Sequence, residues 1–340
     1  MKTLKLLVLT DHRTHRSSNS FYRLVAGFYE DPRLSSVWLC TRGDSVNNDF
    51  FNSCTTRLTA IKMHGHFDYS DLHEAWDARG MHVDLNDFDA VVLRIPRPVD
   101  DSFFSFLEES FHDPEMIVNR PKAILEVSSK RFLMEVDQFT PPVRIVNTLD
   151  DIIGAYEDMG AVVLKPFLEY GGKGVVKYDG TRISTGSKLR SLDGWFAETS
   201  EAGEFPMLAM KFLKRVYEGD KRIIVANGHF VGASLRKPAE GSWLCNVAQG
   251  GEASISELTE EERQMTDDLS GILTEKGIIL FGFDTLVNDD GKRVLSEINV
   301  LSPGGIWPAE QQTGEPLTKM TANHIIDYFM GKWNDKSTAH

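Results

Sequence analysis

Two apolar runs near the end of the chain constrain its fold more than any other feature. Residues 278–287 (IILFGFDTLV) and 293–300 (RVLSEINV) are separated by a turn that contains Asn-Asp-Asp-Gly, and this arrangement predicts an antiparallel hairpin. Side chains two residues apart on a strand point to the same face, so we expect Glu297 and Asn299 to lie side by side. Counting outward from the turn brings Asp284 close to Glu297.

Three oxygen-bearing side chains on one patch are typical of a magnesium site, because Mg²⁺ prefers oxygen ligands and leaves room for substrate phosphates. We therefore predict that Asp284, Glu297 and Asn299 bind Mg²⁺, with Mn²⁺ able to replace it. The alternative is an edge strand with a solvated polar face. Asp284 weighs against that alternative, because it lies within the apolar run FGFDTLV.

The first third of the chain alternates apolar, strand-like runs with mixed segments. The runs LKLLVLT, SSVWLC and DFDAVVLRIPRP follow the rhythm that is typical of an α/β layer with a mostly parallel sheet. The adjacent Pro141 and Pro142 forbid helix continuation and mark a linker into a short strand.

Turn and capping residues predict several elements of the remaining chain. Thr148 caps a helix, the Asn227-Gly228 pair turns a hairpin, and a capping box at Thr259 begins a second helix. The runs AVVLKPF and GVVKYDG are predicted strands, and the polar stretch 181–204 is a predicted surface excursion of the same unit.

The glycine-rich segment LEYGGK joins those two predicted strands. Gly171, Gly172 and Gly174 allow close backbone approach and expose N–H donors, which favours phosphate binding. The segment is neither a Walker A loop nor a dinucleotide fingerprint, because the spacing and the following helix of those motifs are absent. The alternative is a simple hairpin. Lys165 favours the anion site, because a lysine in an apolar strand is costly unless it snorkels or meets an anion.

A basic group lies on the hairpin that turns at Asn227-Gly228. A guanidinium suits a carboxylate or a transferring phosphoryl group, so we interpret Arg222 and Arg236 as candidate catalytic residues. For Lys221 and Lys237 we favour cross-strand surface charge.

Composition limits the classes of function. The 340 residues carry a formal net charge of −13, which argues against a duplex nucleic-acid binder. The negative net charge does not argue against ATP binding, because a local cluster of basic side chains can attract an anion even when the net charge of the whole chain is negative. No apolar run reaches transmembrane length, no signal peptide is evident, and three scattered cysteines make no disulfide framework. We therefore predict a cytoplasmic protein without a nucleic-acid or membrane partner.

The loop that follows the first strand is a further candidate for substrate contact. Ligands favour the carboxyl ends of parallel strands, and this loop supplies His12, Arg13, Asn19 and Ser20.

Together these segments resemble the ATP-grasp superfamily and, within it, the bacterial glutathione synthetases. The resemblance rests on DFDAVVLRIPRPVD, NRPKAILEVSSKRFLMEVDQFTPPVRIV, VVLKPFLEYGGKG, MKFLKRVYEGDKRIIVANG, FGFDTLV and, most specifically, SEINVLSP. It implies an α/β (α+β) fold with an N-terminal Rossmann-like pre-ATP-grasp domain and a two-subdomain ATP-grasp fold. The implied units are a substrate domain at 1–122, a lid subdomain with the phosphate loop at 123–208, and a C-terminal subdomain with the metal-binding strands at 209–335.

The resemblance also implies roles for individual residues. The implied nucleotide-binding residues are Lys130, Lys165, Gly171, Gly172, Gly174, Lys211, Phe212, Leu213 and Asp220. Metal binding falls to Asp284, Glu297 and Asn299, and substrate binding to Arg94, Asn246 and Ser302. The catalytic residues would be Arg222 and Arg236, which offset the charge that builds on the phosphoryl and tetrahedral centres.

The implied activity is the ATP-dependent joining of a carboxylate to an amine through an acyl phosphate, as for γ-glutamylcysteine plus glycine. ATP and Mg²⁺ are the implied cofactors, a homo-oligomer is the implied assembly, and 238–252 is the implied closing loop. The chain departs from the family pattern at Leu244 and Glu252, where that loop carries arginines, so another dipeptide, amino acid or amine also fits. Alternatives are a ligase that adds amino acids to a peptide or protein terminus, and a non-catalytic ATP-binding module.

Overall fold

We describe the protein from a computed structural model of residues 3–65, 69, 80–169, 171–185, 188–245 and 252–338. Within this part of the chain the strands form three sheets with helices packed on them, which confirms the mixed α/β class. The Rossmann-like description of the first unit stays a prediction. Among the described residues, no helix is both long enough and apolar enough to cross a lipid bilayer.

The first sheet has a parallel centre. Strand β1 pairs in parallel with β2 on one side and with β5 on the other, and β6 continues the parallel order beyond β5. The apolar side chains of β1 are buried, as expected for a central parallel strand. The strand order is β4-β3-β2-β1-β5-β6. The elements are β1 (Leu4–Thr10), α1 (Phe21–Tyr29), β2 (Leu34–Thr41), α2 (Asn48–Asn52), β3 (Arg57–Lys62), β4 (Met81–Asp84), β5 (Ala90–Arg94), α3 (Asp101–Ser110) and β6 (Ile117–Val118).

The second sheet is antiparallel and has the order β11-β10-β9-β8-β12-β7. The prediction of a surface excursion at 181–204 is wrong, because this stretch forms two strands and a helix that bury Ile183, Leu192 and Trp195. The elements are α4 (Pro121–Val127), β7 (Val143–Val146), α5 (Leu149–Met159), β8 (Val162–Pro166), β9 (Val176–Tyr178), β10 (Arg182–Thr185), β11 (Lys188–Ser191), α6 (Leu192–Glu201) and β12 (Met207–Lys211).

The third sheet contains both hairpins predicted from turn residues. Asn227 and Gly228 have φ values of 49° and 77°, which are the positive angles that a tight hairpin turn requires. Asp284 lies directly opposite Glu297, as predicted. The strand order is β15-β14-β13-β16-β17. The elements are β13 (Asp220–Ala226), β14 (His229–Lys237), β15 (Glu252–Ile255), α7 (Glu260–Lys276), β16 (Leu280–Val287), β17 (Arg293–Asn299), α8 (Ile306–Thr313) and α9 (Leu317–Thr338).

Two hydrophobic cores organise the described residues. The first and third sheets share one continuous core together with α9, and the second sheet has a smaller core of its own. Helix α9 packs so closely on α1 that a Cβ atom added to Gly27 would lie 2.9 Å from the Cβ of Ala322. The predicted subdomain boundary after residue 208 falls inside β12, so we propose that the second unit extends through Lys211.

Candidate active site

Acidic and basic side chains meet on one face of the third sheet. Arg222 on β13 lies opposite Asp284 on β16, and Asp284 lies opposite Glu297 on β17. Asp220 and Arg236 form a second cross-strand pair between β13 and β14. Directly opposite residues share a face of the sheet, so the alternation of these strands collects charges from remote parts of the sequence.

Asp284 is held by two arginines. Its side chain is 2% exposed; Arg222 donates to both of its oxygens, with 2.8 Å from Nη2 to Oδ2, and Arg236 Nη2 lies 2.9 Å from Oδ2. Burial on its own raises the pKa of this carboxyl, but the two guanidinium groups outweigh it and lower the pKa to about 2. Asp284 is therefore ionised at neutral pH.

Asp220 completes the network from the other side of Arg236. Arg236 Nε and Nη2 donate to its two carboxylate oxygens, each at 2.7 Å. Burial raises the pKa of Asp220 to about 6, against the lowering effect of Arg236, and the neighbouring charge of Asp284 adds to the rise. The Arg236 guanidinium therefore lies between two carboxylates.

The oxygen donors fit a divalent cation. Glu297 has an ion-pair contact at 3.5 Å from Lys130, and Asn299 beside it on β17 carries a side-chain amide oxygen of the kind that Mg²⁺ accepts. Asp284 is less open to a metal, because the arginines occupy most of its lone-pair positions. Glu297 and Asn299 are thus the residues best placed to hold Mg²⁺, with Asp284 beside them. The assignment of the three as ligands stays a prediction.

Two lysines face this acidic group from the second unit. Lys130 is buried, and its Nζ donates to the carbonyl of Glu169 in the glycine-rich segment. Lys165 Nζ donates to the carbonyl of Ser296, at 3.0 Å. Burial lowers the pKa of Lys165 to about 8, although the charge of Glu297 partly offsets the effect.

We expect the affinity for Mg²⁺ and a non-hydrolysable ATP analogue to fall above pH 8. The Lys165 ammonium is protonated below that pH and neutral above it, and a neutral amine cannot offset phosphate charge. The dissociation constant should rise by up to about tenfold per pH unit up to pH 9.5. Titration calorimetry would measure this rise. Lys165→Arg stays charged over the same range and should bind with little pH dependence; an equally steep rise in that variant would contradict the role of Lys165.

The glycine-rich loop adopts backbone angles that other residues rarely adopt. Gly171, Gly172 and Gly174 have φ values of 67°, 78° and 66°. A Cβ atom on Gly174 would lie 2.8 Å from Cγ of Pro166, whereas one on Gly171 would meet nothing within 4 Å. The loop therefore needs glycine for its backbone angle and, at Gly174, also for space.

This difference predicts that alanine substitutions at Gly171 and at Gly174 lower the free energy of unfolding by different amounts. Gly171→Ala should lower the free energy of unfolding by about 1 kcal/mol through backbone strain alone. Gly174→Ala should lower it by about 2–3 kcal/mol, because overpacking against Pro166 adds to the strain. Urea denaturation of both variants would measure the difference, and equal losses would show that the Pro166 contact does not matter.

Two cavities meet at Glu297. The first cavity, of about 90 Å³, is lined by Lys130, Lys165, Gly172, Met210, Lys211, Phe212, Leu213, Asp220, Trp243, Leu244, Cys245, Asp284 and Glu297 among others. The second cavity, of about 520 Å³, is lined by Arg97, Gly171, Arg222, Arg236, Glu297, Asn299, Ser302, Gly304, Gly305 and Gln312 among others. The glycine-rich loop contributes Glu169 and Gly172 to the first cavity and Gly171 to the second, so it lies at their junction.

The remaining predicted residues lie in different places. Ser302 lines the second cavity, whereas Arg94 lies behind the wall and donates from Nη2 to the carbonyl of Pro303 at 3.2 Å. Burial lowers the pKa of Arg94 to about 10. Leu244 lines the first cavity rather than the second. Asn246 lies outside the described residues.

Several lining residues were missed by the sequence reasoning. Arg97 lies in the segment RIPRP, and its position three residues after β5 was the signal that could have identified it. Trp243 packs edge-on against Phe212 at 6.0 Å, and Gln312 reaches the second cavity from α8. Nothing local in the sequence marks these last contacts, because they depend on where remote segments pack.

Comparisons with known proteins match the part of the chain that carries most of this site. A family model described as "Prokaryotic glutathione synthetase, ATP-grasp domain" matches residues 129–314, a range that includes the predicted nucleotide-binding, metal-binding and catalytic residues but neither Arg94 nor the loop after β1. A glutathione synthetase of Rhodopseudomonas palustris is 36% identical over 226 residues, which cover 66% of this chain and 68% of that protein. A glutathione synthetase of Prochlorococcus marinus is 28% identical over 296 residues, which cover 85% of this chain and 88% of that protein.

A solved structure matches the fold over almost the whole chain. The crystal structure of the D-cycloserine synthetase DcsG aligns with a TM-score of 0.64 at 13% identity, covering 94% of this chain and 98% of that one. At this identity the likeness concerns the arrangement of the three sheets and not the substrates.

Proposed function

We propose binding and catalytic roles for the side chains of this chain, which belongs to the prokaryotic glutathione synthetase family and is an ATP-dependent carbon–nitrogen ligase of the glutathione synthetase type. ATP would lie with its base in the first cavity, beside Lys211, Phe212 and Leu213, which line it. The acyl donor and the amine would lie in the second cavity. The reacting phosphate would lie at the junction.

One observation carries this assignment. Glu297 lines both cavities, with Gly172 of the glycine-rich loop on one side and Gly171 on the other. The reaction joins the γ-phosphate of a nucleotide to a carboxylate, so it needs a place where the two ligands meet. Backbone N–H donors from a loop in the left-handed region can bind phosphate oxygens at such a place.

Glu297, Asn299 and Asp284 would hold Mg²⁺ or Mn²⁺, which supplies Lewis-acid polarisation of the phosphate oxygens when bound. Lys130 and Lys165 would offset the remaining phosphate charge from the opposite side.

Arg222 and Arg236 line the second cavity, and they would orient the donor carboxylate for attack on the γ-phosphate. They would then stabilise the tetrahedral centre that forms when the amine displaces phosphate from the acyl phosphate.

The segment 238–245 would act as the inner part of a closing loop. Trp243, Leu244 and Cys245 line the first cavity, whose volume of about 90 Å³ is far below that of a typical nucleotide site. The segment must therefore move outward when ATP enters and return over the bound ligand. Closure would keep water from the acyl phosphate, which hydrolyses readily.

The first substrate pair to test is γ-glutamylcysteine plus glycine. Leu244 lies in the first cavity, so the arginine that it replaces in the family pattern does not by itself define the second cavity. The second cavity, of about 520 Å³, has room for a dipeptide-sized acid. A homo-oligomeric state and a cytoplasmic location stay predictions from the sequence.

Phosphate release from ATP and Mg²⁺ across a panel of acids and amines tests the proposal. Turnover that requires γ-glutamylcysteine and glycine together would support glutathione synthesis. Turnover with another pair would keep the ligase chemistry and change the substrates. ATP binding without turnover across the panel would favour the non-catalytic module.

A further inference from the structure

Two aromatic side chains from different sheets meet in the first cavity. Phe212 directly follows β12 of the second sheet, and Trp243 lies between β14 and β15 of the third sheet. Their ring centroids are 6.0 Å apart and their planes are 83° apart, which is an edge-on contact. This contact connects the segment 238–245 to the part of the cavity that the proposed function gives to the base of ATP.

Phe212 is fixed in the wall of the cavity. Its backbone N–H donates to the carbonyl of Ala161 at 2.7 Å, and Lys177 Nζ lies 3.9 Å from the centroid of its ring. Lys177 is paired with Val163, which lines the first cavity, so both side chains belong to the same face of the second sheet. The ammonium group is attracted to the face of the ring and stabilises its orientation.

Trp243 is held in a different way. The segment that carries it approaches the cavity through Cys245, whose Sγ donates to the carbonyl of Val216 at 3.6 Å. The indole Nε1 of Trp243 is buried, yet it has no hydrogen-bond partner among the described residues. Buried tryptophan N–H groups usually find an acceptor, because an unpaired one lowers the stability of the arrangement. The position of this side chain therefore suits a ligand that brings an acceptor.

The surroundings of the two rings suit a flat ligand with polar edges. The apolar part of the lining consists of Val163, Val175, Met210, Leu213, Val216 and Leu286. Aromatic side chains stack on nucleobases of every kind, and a purine offers two fused rings where a pyrimidine offers one. A base placed between Phe212 and Trp243 would bury both of its faces.

We propose that Trp243 is a base-binding residue that makes the first cavity selective for purine nucleotides. In the free protein the indole packs against Phe212. When a purine enters, the indole moves aside and stacks on the base, and its Nε1 donates to an acceptor of the nucleotide. This inference rests on the proposed function, which places the base of ATP in the first cavity.

The position of Trp243 also couples the base to closure of the segment 238–245. Because the indole belongs to this segment, stacking on the base draws the segment over the cavity. ADP carries the same base as ATP, so the segment stays over the site until ADP leaves. Binding of ADP alone is therefore enough to test the inference, and no acyl donor or amine has to be known.

The test compares the binding of ADP and CDP by titration calorimetry in the presence of Mg²⁺. We expect Trp243→Leu to raise the dissociation constant for ADP by about 10- to 100-fold, which is the range for loss of one stacked aromatic side chain. The rise for CDP should be smaller by at least about threefold, because a pyrimidine has less surface to stack. Trp243→Phe keeps a ring but lacks the N–H donor, and it should raise the dissociation constant for ADP by about three- to tenfold.

Trp333→Leu is the matched control. It makes the same change on α9, at a half-buried residue outside the lining of the first and second cavities. Both dissociation constants should stay within about twofold of the wild-type values.

Tryptophan fluorescence gives a second readout, which a purely structural role of Trp243 would not produce. Saturating ADP should quench the emission of the wild-type protein and of Trp333→Leu. The same quenching should be absent in Trp243→Phe at an ADP concentration that saturates this variant. Full quenching in Trp243→Phe would overturn the inference.

The binding outcomes separate this inference from the proposed function. If Trp243→Leu binds ADP as tightly as the wild type or more tightly, the indole does not stack on the base, and the inference is overturned while the placement of ATP stands. Equal losses for ADP and CDP would overturn the purine selectivity that we propose. If the wild-type protein binds neither nucleotide, the proposed function is wrong and the inference is overturned with it.

Discussion

Glu297→Gln should lower kcat for phosphate release by at least about 10³-fold, a loss of about 4 kcal/mol of transition-state stabilisation. Glu297 lines both cavities and has Lys130 as its ion-pair contact at 3.5 Å, so its carboxylate is the most available oxygen ligand of the site. Glutamine keeps the shape of the side chain but loses the charge that attracts Mg²⁺. The substitution should therefore weaken metal binding more than it weakens folding.

Steady-state phosphate release, repeated over a range of Mg²⁺ concentrations, would measure both consequences. The Mg²⁺ concentration for half-maximal rate should rise together with the fall in kcat. Glu275→Gln removes the same charge from an exposed position on α7 and should leave both values unchanged. If Glu297→Gln retained full activity with an unchanged requirement for Mg²⁺, Glu297 would not be a metal ligand.

Asp284→Asn should lower the free energy of unfolding by about 3–5 kcal/mol near neutral pH. Asp284 is buried and accepts hydrogen bonds from Nε and Nη2 of Arg222. Arg236 contacts both Asp284 and Asp220. Removing the charge leaves the mostly buried Arg222 without a carboxylate partner in this network. The cost comes from the uncompensated cation, since asparagine conserves the volume of the side chain.

Urea denaturation followed by tryptophan fluorescence and circular dichroism would measure this loss. Asp289→Asn is the control: it removes a carboxylate from an ion pair with Lys211 in which both side chains are more than one-third exposed. That change should lower the free energy of unfolding by at most about 1 kcal/mol. Similar losses in the two variants would show that burial of the Asp284 network does not decide its contribution.

The hairpins and helix caps of this protein could be predicted because they depend on local chemistry. The Asn227-Gly228 turn, the helix N-cap at Thr148 and the capping box at Thr259 are where the sequence places them. The pairing of Asp284 with Glu297 followed from counting outward from one turn. The prediction for 181–204 failed, because Ile183, Leu192 and Trp195 are isolated apolar residues in a polar stretch, and only a neighbouring sheet shows that they are buried.

The candidate site, like the fold, could be predicted from the sequence only in part. Its acids, lysines and glycines could be proposed from motifs, whereas the partners of each charge could not. Because they carry guanidinium groups, Arg222 and Arg236 were predicted to contact a ligand. In the structure Arg222 donates a hydrogen bond to Asp284, and Arg236 donates one to Asp220. Arg94 suggested a substrate contact, and the structure places it behind the cavity wall.

By itself the sequence determined the order of strands and turns, the face of each hairpin that carries the charges, and the membership in a ligase family. These are properties of spacing and residue type within short windows. The tertiary structure alone decided where the two cavities lie and that Glu297 lines both of them. It also decided that Trp243 packs against Phe212 in the first cavity. The physical reason is that cavities and buried ion pairs arise where segments distant in sequence pack together, and no local pattern specifies that packing.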